Sequence, residues 1–193
     1  PNTGTAEILL VGGGGTGGNN KGGGGSGGNV YPNSSQAITG GTTYAIVVGA
    51  GGVHPNGSNT NYTTVPSASW AGGSTTAFSR TAVGGNHGRA GDSRTPYGNG
   101  TGHQGGRGSG NILAGSYSGN TGGQAGNNSG GGGAGDGANG GSAPSNDNGG
   151  HGGIGTQNNI DGNNYYYGGG GGGSAAHRDT SSYYGGNGGN GGG

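Results

Sequence analysis

The chain has 193 residues, 64 of them glycine, with six basic residues against six acidic ones and no cysteine. The length fits one domain or two, but 23% hydrophobic residues with one Phe, one Trp and no Met put a conventional apolar core out of reach. The neutral balance argues against a nucleic-acid partner, the missing cysteines exclude a disulfide framework, and no apolar run approaches the ~20 residues of a membrane span.

In chain order, Ala6-Glu7-Ile8-Leu9-Leu10-Val11 is a short apolar run ended by glycines, which predicts a strand. Residues 36–38 and 44–48 are β-prone and flank Thr39-Gly40-Gly41-Thr42, the signal of a hairpin. Residues 75–79 make a weaker fourth strand, with Ala82-Val83 just behind. Ile8, Leu10, Ile38, Ile46, Val48 and Phe78 are the expected core.

From residue 84 onward aliphatic residues almost vanish, and glycine tracts alternate with polar segments bearing aromatics. Tracts cover 98–110, 119–141, 149–155, 168–173 and 185–193, and an earlier one covers 12–28. Within them glycine recurs by threes, at Gly12, Gly15 and Gly18, and at Gly185, Gly188 and Gly191. Glycine near one third is also collagen's share, but collagen needs an unbroken period and abundant proline, and six prolines are too few.

Period three points to the left-handed extended helix of the polyproline II kind, which has three residues per turn and no internal hydrogen bonds. Where two of its three edges are glycine, neighbouring helices can approach to backbone contact and satisfy one another's polar groups. Ordering costs ~1–2 kcal/mol of backbone entropy per residue, against ~0.5–1.5 kcal/mol for each bond gained, so energetics alone do not decide. The recurring period, the similar tract lengths and the aliphatic strand region all favour order. Segments of about nine residues would span about 28 Å, with loops collecting at two opposite ends. The expected organisation is a β-strand-containing glycine-rich region over 1–85, then a polyglycine II helix sandwich over 86–193, with essentially no α-helix.

Chemistry would reside in the loops. Residues 52–70, 156–167 and 174–184 are rich in Tyr, Asn and Ser, the vocabulary of binding loops. Candidate binding residues are Tyr62, Trp70, Tyr97, Tyr117, Tyr165, Tyr166, Tyr167, His177, Arg178, Tyr183 and Tyr184. The alternative is that the tyrosines cap the ends of the slab and shield its backbone. His54, His87, His103, His151 and His177 lack zinc-ligand spacing. The carboxylates show no glycosidase-like pairing, and VGGGGTGG is followed by no helix-forming segment, so it fails as a nucleotide loop. No enzyme activity, cofactor or metal is expected.

The strand running into Val11-Gly12-Gly13-Gly14-Gly15, then Tyr44-Ala45-Ile46-Val47-Val48-Gly49-Ala50-Gly51-Gly52, then Gly73-Ser74-Thr75-Thr76-Ala77-Phe78 resembles the glycine-rich domain of tailed-bacteriophage tail and tail-fibre proteins. The remainder is similar in composition and alternation to the receptor-binding tip adhesins of T-even-like long tail fibres. That resemblance implies a virion protein at the extracellular tail-fibre tip. Its loops, here 92–97, 111–117, 156–167 and 174–184, would contact a host outer-membrane protein or surface glycan. Other tail-fibre subunits would be further partners. Two rivals share the composition: a polyglycine II ice-binding protein and a structural glycine–tyrosine matrix protein.

Overall fold

The few aliphatic positions determine the sheets. In the computed structural model, which describes residues 2–18, 21–54, 70–88, 120–126, 129–144, 148–175 and 184–192, β1 (Thr3–Val11) pairs antiparallel with β2 (Val30–Thr39). Leu10 lies opposite Tyr31, and both are buried with Ala77 and Ala82, while Ile8 and Phe78 pack against them. β2 carries one extra residue between the Ala6–Gln36 and Ile8–Asn33 pairs. Asn33 supports this bulge by accepting the Ser35 N–H at 3.1 Å. β3 (Ile46–Val47), β4 (Thr75–Ala77) and β5 (Arg80–Ala82) form a second antiparallel sheet. β6 (Thr156–Asn158) and β7 (Tyr165–Tyr167) form a third. Among the described residues there is no α-helix, hence none long and apolar enough to cross a membrane.

Three expectations need correction. Residues 36–38 do not pair with 44–48: they pair with β1, and Ile46–Val47 pairs with β4. The glycine turn survives, with Gly41 at φ 76°, but beyond it Tyr44 accepts the Thr39 N–H on its hydroxyl at 2.8 Å and sets its ring 4.9 Å from Phe78. The fourth strand stops at Ala77 because Phe78 and Ser79 both adopt left-handed φ, 52° and 57°. Two such residues make the tight turn that suits twisted hairpins, and β5 follows directly. Ile46 and Val48, expected in the core, are 62% and 78% exposed. β3 is the edge of its sheet, and its apolar side chains find no covering layer among the described residues.

Most of the remaining interior is backbone. Residues 22–31 are buried without interruption. Gly12, Gly15 and Gly18 donate to the carbonyls of Asn29, Ser26 and Gly23 at 3.0, 2.9 and 2.9 Å, stepping by three on both sides. Gly24 and Gly27 in turn donate to Gly131 and Ala134, and Ser26 and Asn29 donate to Asn86 and Val83. The Gly25 and Gly22 carbonyls accept from Gly171 and Ser174 at 2.8 and 3.0 Å. Segment 22–29 is thus bonded to four others, each in steps of three.

A second hub lies at 129–136. Gly130, Gly133 and Asp136 donate to Ser174, Gly171 and Gly168, each at 2.8 Å, while the Gly130 and Gly133 carbonyls accept from Gly150 and Gly153. Further out, Gly149, Gly152 and Gly155 donate to Tyr184, Asn187 and Asn190. These bonds join residues on both sides of position 85. The approach tolerates no side chain: a Cβ on Gly24 would lie 2.6 Å from the Gly171 carbonyl carbon and 2.8 Å from the Gly133 nitrogen.

The glycine segments have two distinct ends. The seven strands among the described residues all attach at one of them, where Gly12, Asn29, Gly49, Ser74, Val83, Gly155 and Gly168 adjoin or lead into the sheets. Asp136 ties this strand end together. One carboxylate oxygen accepts from the Asn29 side chain at 2.9 Å and the Val30 N–H at 3.1 Å, and the other accepts from the Thr156 hydroxyl at 2.6 Å. At the opposite end lie Gly18, Lys21, His54, Trp70, Gly126, Ser129, Pro144, Asn148, Ala175 and Tyr184, the described residues next to 19–20, 55–69, 127–128, 145–147 and 176–183, together with Gly88 before 89–119; the residue after 89–119, Asn120, lies at the strand end, its side chain donating to the Gly135 and Asp136 carbonyls.

Candidate recognition surface

The second end, here the loop end, holds an exposed aromatic on a fixed backbone. Tyr184 donates its N–H to the Asn148 side-chain oxygen at 3.1 Å, and its carbonyl accepts from Gly149 at 2.9 Å. Its side chain nevertheless remains 66% exposed. Three residues on, the Asn187 N–H is held the same way by the His151 Nδ1 at 2.9 Å, so the outermost segment is stitched at 184 and 187 by side-chain acceptors at 148 and 151. A phenol ring presented on rigid backbone offers a flat apolar face and a polar tip at small entropic cost.

Trp70 belongs to the same end but not to its surface. Its ring is buried, stacked on His54 at 5.1 Å and 26° and edge-on to His87 at 5.9 Å and 84°. Its carbonyl accepts from the Thr16 N–H at 3.0 Å. The indole therefore anchors the segments on either side of 55–69 and the one leading to 89–119. The ring therefore packs within this end rather than on its surface. The sequence marks neither histidine as its partner, because spacings of 16 and 17 residues carry no local signal.

The candidate tyrosines at 165–167 and at 184 are separated. Tyr165, Tyr166 and Tyr167 form β7 at the strand end, paired with Asn158, Gln157 and Thr156. Tyr165 and Tyr166 are exposed, and Gly168 turns the chain inward at φ 73°. Tyr184 sits at the opposite end of the same segments, since Gly149 bonds to Tyr184 while Gly155 bonds to Asn190. Tyr62, Tyr97, Tyr117, His177, Arg178 and Tyr183 lie outside the described residues. No group of three or more metal-binding side chains occurs among the described residues.

Among the described residues these features define short antiparallel strand pairs and glycine segments without a helix. A family model described as a glycine-rich domain matches residues 1–193, and the chain belongs to that family. No curated protein and no solved structure matches it.

Proposed function

We propose that this chain is a non-enzymatic tail-fibre tip adhesin of a bacteriophage, displayed on the virion. It recognises a host outer-membrane protein or surface glycan through the loop end. In this reading the glycine segments are polyglycine II helices, supported by hydrogen bonds that step by three toward several neighbours at once. A span such as 149–155 then separates the two ends by about 19 Å at ~3.1 Å per residue.

The observation that carries the proposal is the polarity of the scaffold: every strand among the described residues attaches at one end, and the stems beside 55–69, 127–128, 145–147 and 176–183 stand together at the other. In this reading Tyr62, His177, Arg178 and Tyr183, which belong to the segments joined to those stems, contribute to the same surface as Tyr184. Tyr165, Tyr166 and Tyr167, at the strand end, fall outside this surface and face the side from which other tail-fibre subunits approach.

The test is adsorption to host cells by a Tyr184→Ala variant and by one with residues 176–183 replaced by glycine and serine. We expect both to melt like wild type and adsorb at least ~10-fold less, the effect of losing ~1.4 kcal/mol at an aromatic contact. Unchanged adsorption by both variants overturns the assignment.

A further inference from the structure

The His151 side chain is exposed, yet its Nδ1 accepts the Asn187 N–H at 2.9 Å. A backbone N–H can only donate, so this nitrogen carries no proton and the neutral ring keeps its proton on Nε2. Three residues earlier Asn148 makes the equivalent bond, its Oδ1 accepting the Tyr184 N–H at 3.1 Å. An amide oxygen accepts at any ordinary pH, whereas an imidazole accepts only while neutral. Two acceptors thus stand in one register, and one of them titrates.

The segment they hold is lightly fastened. Residues 184–190 carry three side chains, Tyr184, Asn187 and Asn190, and all three are exposed, so no apolar burial secures them. The other bonds run through backbone: Gly149, Gly152 and Gly155 donate to this segment, and its Gly186 and Gly189 donate to Gly173 and Gly170.

We propose that His151 is a pH-sensitive latch on segment 184–190. Protonation of Nδ1 sets an N–H against the Asn187 N–H, donor against donor. The docked segment fits only the neutral ring, and the released segment leaves the ring free to take up a proton, so docking weakens as pH falls. The segments bonded to 149–155 are 129–141, 168–174 and 184–190. Between them they carry one carboxylate, Asp136, which is engaged at the strand end, and one phenol, Tyr184. Neither acidic nor basic side chains on these segments therefore stand beside the imidazole to offset its charge. Release would loosen the backbone that presents Tyr184, a consequence that rests on the proposed function; the latch itself does not.

The test is amide exchange of the whole chain, read residue by residue and divided by the intrinsic rate at each pH. Between about pH 8 and about pH 5, which spans ordinary histidine titration, protection at Asn187 should fall at least ~5-fold, the equivalent of one ordinary hydrogen bond. Gly152, which donates to the Asn187 carbonyl from the other side, should fall with it. His151→Asn supplies an amide oxygen like that of Asn148 and should hold protection level across the range. His151→Ala lacks the acceptor altogether and should show low protection at both ends, which serves if the asparagine variant folds poorly. Equal protection in wild type at the two pH values overturns the latch. So does loss at Asn187 without loss at Gly152, or the same pH dependence in both variants. Adsorption of the variants at neutral pH reads the loop end separately, so either reading can fail alone.

Discussion

Gly24 lies within the central segment, and replacing it with alanine tests whether packed backbone is the core. The added Cβ would sit 2.6 Å from the Gly171 carbonyl carbon and 2.8 Å from the Gly133 nitrogen. Non-bonded carbons need ~3.5–4.0 Å, so segment 168–174 must retreat by about 1 Å. That movement stretches the bonds from Gly171 to Gly25 and from Gly133 to Gly171, both 2.8 Å. Two buried groups left poorly paired cost ~1–3 kcal/mol each. The lower chain entropy of unfolded alanine returns only ~0.4–1 kcal/mol. The expected net loss is about 2–4 kcal/mol, a large part of the ~5–15 kcal/mol typical of a domain. A melt followed by circular dichroism should fall by roughly 6–12 °C at ~3 °C per kcal/mol for a chain of this size. Gly14→Ala and Gly17→Ala are the controls, because a Cβ there meets only carbonyl oxygens at 3.8 and 3.9 Å. They should be neutral or slightly stabilising. If Gly24→Ala melts with the controls, backbone contact is not what holds the interior together.

Two further substitutions probe the strand end. Asp136→Ala removes the acceptor of the Asn29, Val30 and Thr156 donors and should cost about 2–4 kcal/mol in a denaturant titration; a loss under ~1 kcal/mol would mean these donors re-pair freely. Ser79→Gly relieves a left-handed residue at φ 57° and should gain about 0.5 kcal/mol, since the ~1–2 kcal/mol of strain exceeds glycine's entropic cost. A loss of stability would instead show that the Ser79 side chain supports the turn.

Legibility in the sequence followed the range of the interactions. The strand over residues 6–11, the turn around Gly41 and the lack of helix among the described residues are local, and the structure has all three. Partner choice is not local. Residues 36–38 carry the same alternation whether they pair with 44–48 or with β1, and only the β1 pairing sets Tyr31 against Leu10. Ile46-Val47-Val48 reads as a buried strand because an apolar run looks the same at the centre of a sheet and at its edge. Burial of Trp70 depends on histidines from two separate segments. The period-three glycines were readable, but not which of them tolerate a methyl: Gly14 and Gly24 both sit in glycine-rich tracts, yet a Cβ on one would make an ordinary van der Waals contact with the Ser26 carbonyl oxygen at 3.8 Å and on the other would clash with neighbouring backbone.

That contrast bears on how a recognition surface can vary on such a scaffold. In a conventional domain, loop stems pack side chains into an apolar core, so new loops disturb the packing that holds the fold together. Here the interior segments meet through N–H and C=O groups that every residue carries, and the largest fully buried side chains are only Val30, Asn29, Ser26 and Ser129. Val30 and Asn29 are at the strand end, and Ser26 bonds the Asn86 backbone through its hydroxyl, accepting at 2.7 Å. Near the loop end, Trp70 is the one large hydrophobic side chain buried among the described residues. Exchange of loop sequence there should therefore leave stability nearly unchanged unless it disturbs the Trp70–His54–His87 stack, the point at which loop and scaffold energetics are coupled.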